Sequence, residues 1–243
     1  PAYLTGAGHA TWLVLIMPYL EQGNLYKVSN AEMQYYGLPD SSIQAQVNFY
    51  YCPSRRSPPQ LSVSGDSRGS VSHRPGALND YAIGAGDGTA VPWYGTIPGG
   101  GNGMARSTHI FFPLPVRLTG TWSGSTPNLR YTGWKILRAF RDVEDGLSNT
   151  LLAGDKYVHP SHWGEGSWGD NSFYNDDTGV VVFRMAGQGF PIVRTPEDPT
   201  MSPGRAKHSF GSSHSGGICQ FVLGDGSVRP IKPTINTTVL GYL

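Results

Sequence analysis

The chain has little charge, almost no cysteine and no long apolar run. Only 14% of its 243 residues are charged, and 18 basic side chains nearly balance 17 acidic ones. Coiled coils and charge-rich disordered proteins need far more charge, and nucleic-acid-binding proteins normally carry a basic stripe. The longest apolar run, at 12–17, is much shorter than the roughly 20 residues that a membrane-spanning helix needs. The composition therefore argues against a nucleic-acid partner and favours a globular domain.

Glycine and proline are abundant, with 33 and 19 residues, and aromatic residues make up 12% of the chain. Glycine and proline both break helices, so the composition disfavours a helical bundle. We therefore predict an α+β fold that is mostly β, with an antiparallel sheet, short helices and long loops. No internal repeat or change in composition divides the chain. We interpret 1–243 as a single domain in which 54–130 is an elaborated, loop-rich region.

Local patterns place several elements along the chain. Residues 9–28 predict a helical pair or a kinked helix, because Pro18 suits the first turn of a second helical piece. Residues 43–51 alternate in polarity and predict a strand. The Asp225-Gly226 dipeptide between two β-rich runs predicts a hairpin over 217–231. Further strands are predicted at 80–84, 150–153 and 180–185, and a short final helix or strand at 234–243.

The two cysteines, Cys52 and Cys219, are separated by most of the chain. No C-x-x-C motif is present, so neither a zinc ribbon nor a haem attachment site is predicted. The spacing suits either one long-range disulfide or two buried thiols. A disulfide would point to an oxidising, extracytoplasmic compartment.

The sequence has no clear catalytic signature. Residues 65–69, GDSRG, match the G-x-S-x-G pattern of nucleophilic serines, but their polar flanks lack the buried strand and the helix that such a site requires. Seven histidines are present without an H-E-x-x-H motif. His208 and His214 flank a Ser/Gly-rich stretch, so we expect them to hydrogen-bond turns beside the hairpin rather than to bind a metal. We therefore predict a protein that is not an enzyme.

The stretch 163–177 is aromatic, acidic and glycine-rich, and we predict a loop there. Its Asp170, Asp176 and Asp177 carry oxygen ligands of the kind that Ca²⁺ binds. The same residues also suit a solvated loop with Asx-turns. Calcium is the one cofactor that the sequence suggests.

Aromatic side chains in the same stretch suggest a ligand-binding surface. The candidates for stacking against a glycan or contacting a protein are Trp163, Trp168 and Tyr174. Aromatic residues in a loop also serve to cover a core, so both interpretations stay open.

Four stretches of the sequence are distinctive. They are Trp12–Tyr26 (WLVLIMPYLEQGNLY), Tyr51–Ser54 (YCPS), Asp145–Asp155 (DGLSNTLLAGD) and Phe210–Arg229, in which FGSSHSGG is followed by GDGSVR. In order and approximate spacing they resemble the signatures of the planctomycete DUF1559 family. Three residues depart from the family's pattern: Leu147 stands where threonine is usual, Asp155 where glutamate is usual and Pro230 where an aromatic residue is usual.

Members of that family resemble type IV pilins and type II secretion pseudopilins. The resemblance implies a β-rich globular head behind a cleaved leader and a long apolar N-terminal helix, which would precede Trp12 and is missing from this sequence. It also implies a structural, non-enzymatic subunit in the periplasm, at the cell surface or secreted. Such a subunit would associate with itself or with other pilin-like subunits, and would meet the membrane only through that helix. The alternative is an extracytoplasmic module that binds a glycan or a protein through 163–177.

Two structural expectations accompany this resemblance. In an extracytoplasmic compartment, Cys52 and Cys219 are expected to form a disulfide. A head without its helix would expose an apolar sheet face, which another element or a partner would have to cover. The apolar side chains available for this within the sequence are those of Leu13, Leu15, Ile16 and Leu20.

Overall fold

A five-stranded sheet organises the fold. The structure, a computed structural model, describes residues 10–30, 33–87, 139–175, 181–195, 197–198, 201 and 203–243, together with six two-residue strands between 114 and 135. In chain order the strands are β1 (Tyr81–Gly84), β2 (Leu114–Pro115), β3 (Leu118–Thr119), β4 (Trp122–Ser123), β5 (Thr126–Pro127), β6 (Arg130–Tyr131), β7 (Trp134–Lys135), β8 (Leu151–Asp155), β9 (Phe183–Arg184), β10 (Cys219–Leu223) and β11 (Val228–Ile231). The α-helices of this part of the chain are α1 (Trp12–Ile16), α2 (Gly23–Val28), α3 (Asp40–Ile43), α4 (Pro203–Ala206) and α5 (Thr237–Tyr242). Short 3-10 helices lie at Met17–Leu20, Tyr35–Gly37, Asn48–Tyr50, Phe140–Asp142, Leu147–Asn149, Pro160–His162, Gly166–Trp168 and Ser215–Gly217.

The strand order across the main sheet is β11-β10-β8-β1-β9. Neighbouring strands are antiparallel except β1 and β9, which run parallel. The six short strands form three further antiparallel pairs in nested order: β2 with β7, β3 with β6 and β4 with β5. The predicted α+β, mostly β fold is confirmed, and the sheet is mixed because of the single parallel pair.

β10 and β11 form the hairpin that the Asp-Gly dipeptide predicts. Val222 pairs with Val228 at the end of the ladder. Gly226 takes a φ of +81°, which glycine adopts without strain. Asp225 Oδ1 accepts a hydrogen bond from Ser227 N at 2.9 Å and closes the turn.

The N-terminal segment forms the predicted helical pair. α1 and α2 flank a 3-10 turn that has Pro18 near its start. Leu13 and Met17 are buried, and Trp12 Nε1 donates a hydrogen bond to Val182 O at 2.9 Å. The segment therefore packs beside the start of β9. No helix among the described residues is both long and apolar enough to cross a membrane.

The first core is the apolar cluster in which α1 packs against turn residues such as Tyr50 and Phe173. Its described members include no residue of β1, β8, β10 or β11. Four side chains were expected to cover a sheet face. Leu13, Ile16 and Leu20 pack in or against the first core instead, and Leu15 is 46% exposed. That expectation is therefore wrong, because α1 covers loops and turns rather than the sheet.

The second core covers one face of the main sheet. Phe221 on β10, Leu151 on β8 and Leu240 on α5 are among its buried members. Residues alternate between the faces of a strand, so Val222 points to the opposite face, where it is 37% exposed. Its partner across the hairpin, Val228, is 62% exposed. The opposite face therefore carries an exposed valine pair.

The predicted strand at 43–51 is wrong. α3 ends at Ile43, and Asn48–Tyr50 is a 3-10 helix. Ile43, Val47 and Tyr50 are all buried in the first core, and they are four and then three residues apart, so their burial does not follow the alternation of a strand. The hydroxyl of Tyr50 also donates a hydrogen bond to the backbone of α1. Tertiary burial thus outweighs the β propensity of the aromatic residues.

His208 closes the turn that follows α4. Its Nδ1 lies 2.7 Å from Gly204 O within α4, so this histidine bonds the helix that precedes it rather than a turn of the hairpin. The residue is only 3% exposed. Burial lowers the pKa of His208 to about 4, and the charges of Arg184 and Lys207 act in the same direction. The folded protein therefore holds this imidazole neutral at neutral pH.

Replacing His208 with asparagine should flatten the acid side of the stability profile. The unfolded chain takes up this proton near pH 6.5, whereas the folded chain does so only near pH 4. The unfolded state binds more protons between these values, so stability falls as the pH drops through them. Between roughly pH 7 and pH 4.5, we expect the free energy of unfolding of the wild type to fall by about 2 kcal/mol because of His208. His208→Asn keeps an N–H for Gly204 O, and its free energy of unfolding should fall by less over the same range. Denaturant unfolding at both pH values measures the two losses, and equal losses would contradict the assignment.

Candidate functional site

Polar and charged side chains gather at one end of the main sheet. β1 begins at this end and β8 finishes there, because Tyr81 pairs with Asp155. β10 also starts there. The residues that flank β1 and β8, Asp80 and Lys156, therefore come together.

Asp170 is the centre of a buried ion network at this end. Its carboxylate lies 2.5 Å from Arg56 Nη1 and 3.1 Å from Lys156 Nζ. Asp80 Oδ1 lies 3.0 Å from Arg55 Nη1 and 2.8 Å from Arg56 Nη2. All five side chains are at most 1% exposed. The ion network joins two sheet strands to the adjacent arginines and to the aromatic, acidic loop.

Opposite charges within the ion network offset the cost of burial. Burial by itself raises the pKa of Asp170, but Arg56 and Lys156 hold that pKa well below its usual range. Burial lowers the pKa of Lys156, and the charge of Asp170 opposes this shift. Gly164 N donates a further hydrogen bond to Asp170 Oδ2 at 2.7 Å. Asp170 is therefore an ionised counter-ion with both oxygens engaged.

The predicted calcium site combines Asp170 with Asp176 and Asp177. Asp176 and Asp177 lie outside the described residues. Asp170 Oδ1 contacts Lys156 and Oδ2 contacts Arg56, so a calcium ion would have to displace two buried cations to reach this carboxylate. Asp170 belongs to the ion network, and calcium binding by the other two residues stays a prediction.

The aromatic residues of 163–177 divide into a surface group and a buried group. Trp163 is 37% exposed, and Trp168 stacks on His162 with ring centroids 4.0 Å apart. Tyr174 is 2% exposed, and its hydroxyl donates a hydrogen bond to Ala45 O at 3.1 Å. A binding surface on this loop thus retains the two tryptophans but loses Tyr174, because a side chain of the first core cannot stack on an external ligand.

Neutralising Asp170 should destabilise the fold strongly. Asp170→Asn leaves Arg56 and Lys156 buried with one counter-charge fewer, which typically costs about 3–5 kcal/mol. Asp145→Asn, at an exposed turn, is the matched control and should change the free energy of unfolding by less than about 0.5 kcal/mol. Denaturant unfolding measures both variants. An effect of Asp170→Asn no larger than that of the control would show that the fold does not need the network.

A thiol, a carboxylate and an imidazole form a second group beside the ion network, here called the thiol–imidazole cluster. The donor atoms of its members, Cys52, Asp155 and His214, lie within 4.8 Å of one another. His214 Nε2 is 3.6 Å from Cys52 Sγ and 3.5 Å from Asp155 Oδ2, and Nδ1 of the same ring is 3.1 Å from Ser54 Oγ. The prediction that the His214 ring bonds a turn beside the hairpin is wrong, because the ring joins separate segments.

Local structure holds each member of the cluster in place. Cys52 N donates a hydrogen bond to Asp80 Oδ2 at 2.9 Å, which ties the cysteine to the ion network. Asp155 is the last residue of β8. His214 is followed by a tight turn in which Gly217 has a φ of +66° and has backbone so close that a Cβ would clash.

The geometry of the cluster limits its chemistry. Burial raises the pKa of the Cys52 thiol and of the Asp155 carboxyl. In a Cys–His–Asp relay the thiol and the carboxylate contact opposite ring nitrogens. Here both contact Nε2 of His214, and a single ring nitrogen cannot serve both partners. The arrangement therefore does not fit a relay that activates a nucleophile.

The predicted disulfide is wrong: Cys52 and Cys219 are both free and buried. Cys219 shares a face of β10 with Phe221 and lies in the second core, where its thiol is 3.5 Å from Asp155 O. Cys52 Sγ instead faces His214. The other interpretation of the spacing, two buried thiols, is the one that the structure contains.

Sequence reasoning missed both the ion network and the thiol–imidazole cluster. Their members are dispersed along the chain, and no local spacing joins them. One signal was present in the sequence: Cys52, Asp155 and His214 each belong to a different one of the four distinctive stretches. When several distinctive stretches each contain one residue that can bind a metal or transfer a proton, these residues can be predicted to meet in one site.

The architecture defines a sheet-rich α+β protein whose polar sheet end is held by buried ion pairs. A family model described as "Protein of unknown function (DUF1559)" matches residues 2–238, and the chain therefore belongs to the DUF1559 family. The resemblance drawn from the four distinctive stretches is thereby confirmed. The comparisons found no match among curated proteins and none among solved structures.

Proposed function

We propose that this protein is a non-enzymatic structural subunit of a pilin-like or pseudopilin-like assembly outside the cytoplasm. Its partners are copies of itself or other pilin-like subunits. Membership of the DUF1559 family provides the context. The observation that carries the proposal is the exposure of apolar side chains in the first distinctive stretch, Trp12–Tyr26.

Two apolar residues of that stretch are not buried in the first core but exposed to solvent. Tyr19 is 86% exposed and Leu15 is 46% exposed, whereas Leu13 and Met17 are buried. Single exposed apolar residues are normal on a protein surface. These two, however, lie four residues apart in one short apolar segment, and apolar surface of this kind favours contact with another chain.

The exposed valine pair of the hairpin supplies a second apolar surface. Val222 and Val228 lie on the sheet face that the second core leaves open. A filament grows by contacts between two different surfaces of each subunit, since identical surfaces close into a dimer. One helical and one sheet surface on the same subunit meet this requirement.

The buried charged groups also favour a structural role. Arg56 and Lys156 both contact Asp170, and all three side chains are at most 1% exposed, so a substrate would not reach them. Their contacts hold loops against the end of the sheet. The thiol–imidazole cluster lacks the geometry of a nucleophile relay, which further favours a role other than catalysis.

The extracytoplasmic location belongs to the same proposal and rests on the resemblance to pilins. The two free cysteines remove the disulfide as a support for it. The alternative, a glycan-binding or protein-binding module, has only Trp163 and Trp168 left in its favour. Binding on a glycan array that Trp163→Ala abolishes would support the alternative over the structural subunit.

Replacing Tyr19 with serine should weaken assembly and leave stability unchanged. Because Tyr19 is exposed, its replacement should alter the free energy of unfolding by less than about 0.5 kcal/mol. Tyr242 on α5 is 76% exposed and provides a matched control. We expect Tyr19→Ser to shift the protein towards monomer in sedimentation velocity and to lose filaments in negative-stain images, while Tyr242→Ser behaves like the wild type.

Two outcomes would count against this proposal. Wild-type protein isolated from its native cells that remains monomeric and shows neither filaments nor stacked subunits would contradict the structural role. Assembly that survives Tyr19→Ser unchanged would contradict the use of the Trp12–Tyr26 surface.

A further inference from the structure

Three different metal-binding side chains converge in the thiol–imidazole cluster. His214 Nε2 is 3.6 Å from Cys52 Sγ and 3.5 Å from Asp155 Oδ2. In a tetrahedral zinc site the ion lies roughly 2.3 Å from sulfur and about 2.0–2.2 Å from nitrogen and oxygen, which sets the donor atoms about 3.3–3.6 Å apart. The two separations around Nε2 therefore match the edges of such a site.

One buried oxygen of the cluster has no hydrogen-bond donor. Asp155 is 1% exposed, and its Oδ1 finds no donor among the described residues. Leaving a buried carboxylate oxygen without a partner costs free energy. A cation bound at the neighbouring Oδ2 would offset part of that cost, because its positive charge stabilises the whole carboxylate.

We propose that Cys52, Asp155 and His214 bind one transition-metal ion of the zinc class, with water as the fourth ligand. Sulfur, nitrogen and oxygen donors together suit Zn²⁺, whereas Ca²⁺ and Mg²⁺ take oxygen ligands. The His214 side chain is 28% exposed. An ion can therefore enter from solvent, and a water molecule can complete the coordination.

Neighbouring groups orient the ligands for this task. Ser54 Oγ lies 3.1 Å from His214 Nδ1 and sets the ring so that Nε2 faces the site. Gln220 N donates a hydrogen bond to Asp155 Oδ2 at 2.8 Å, which fixes the carboxylate. Contacts of this kind around a metal site hold its ligands in the binding geometry.

The ligands come from three of the four distinctive stretches, namely YCPS, DGLSNTLLAGD and FGSSHSGG. None of the three side chains is needed to fill the first core. A bound ion would be coordinated by all three stretches, and it would hold the loops of Cys52 and His214 at the end of β8. This inference does not rest on the proposed structural role.

Metal titration of the reduced, metal-free protein tests the site. Isothermal titration with Zn²⁺ should show one ion per chain, and the melting temperature should rise with the zinc concentration. Co²⁺ in place of Zn²⁺ should give the visible absorption of a tetrahedral complex. A thiolate-to-cobalt charge-transfer band in the near ultraviolet should accompany it and reports on Cys52.

Variants assign the ligands. His214→Ala and Cys52→Ser should each weaken zinc binding by at least about 100-fold, and Ser54→Ala by roughly 10–100-fold through loss of ring orientation. His162→Ala is the matched control, since the side chain of His162 is 30% exposed against 28% for His214. It should bind zinc like the wild type. Circular dichroism establishes that each variant is folded.

Absence of zinc binding by the wild type would overturn the proposal. Binding that His214→Ala and Cys52→Ser both leave unchanged would overturn it as well, and so would a cobalt complex without the charge-transfer band. None of these measurements reports on assembly, so their outcome is distinct from that of the Tyr19→Ser experiment.

Discussion

Pairing of buried charges at one end of the sheet is the constraint on which the rest of the structure depends. Arg55, Arg56 and Lys156 lose their hydration on folding, and such cations are tolerated in an interior only when they are paired. Asp80 and Asp170 provide the counter-charges. One aspartate precedes β1 and the lysine follows β8, and the antiparallel register of these strands brings both residues to the same end of the sheet. The ion network thus couples the register of the sheet to the position of its loops.

The same constraint positions the thiol–imidazole cluster. The backbone of Cys52 is hydrogen-bonded to a carboxylate of the ion network. Arg55 Nη2 donates a hydrogen bond to Gly211 O at 3.0 Å, shortly before His214. Asp155 is the sequence neighbour of the network's lysine. The cluster therefore takes its geometry from buried ion pairs, and its three donors keep their separations better than donors on mobile surface loops would.

Elements with a local signal could be predicted from the sequence, and those set by tertiary contacts could not. The Asp225-Gly226 turn and the proline at Pro18 each act within a few residues, so the hairpin and the helical pair were correct. The segment 43–51 has β-type residues, but the first core buries Ile43, Val47 and Tyr50, which do not alternate as the residues of a strand would. Strand register decides that Cys219 faces the second core, and the distant cations decide that Asp170 is a counter-ion. Neither fact can be read from local sequence.

The positions within the distinctive stretches differ in how strictly the fold limits the side chain that can stand there. A core position accepts most apolar side chains of similar volume. A position in a buried ion pair, in a tight turn or at a metal tolerates only particular side chains. At Gly217 a Cβ would lie 2.1 Å from Arg194 O, so only glycine fits. At position 54 only a hydrogen-bonding side chain can contact the His214 ring as Ser54 does. Three of the four stretches each contribute one residue to the thiol–imidazole cluster at the polar sheet end, where such demands are concentrated. In these three stretches the fold therefore requires particular chemistry at several positions, whereas the apolar side chains of Trp12–Tyr26 serve mainly to fill the first core.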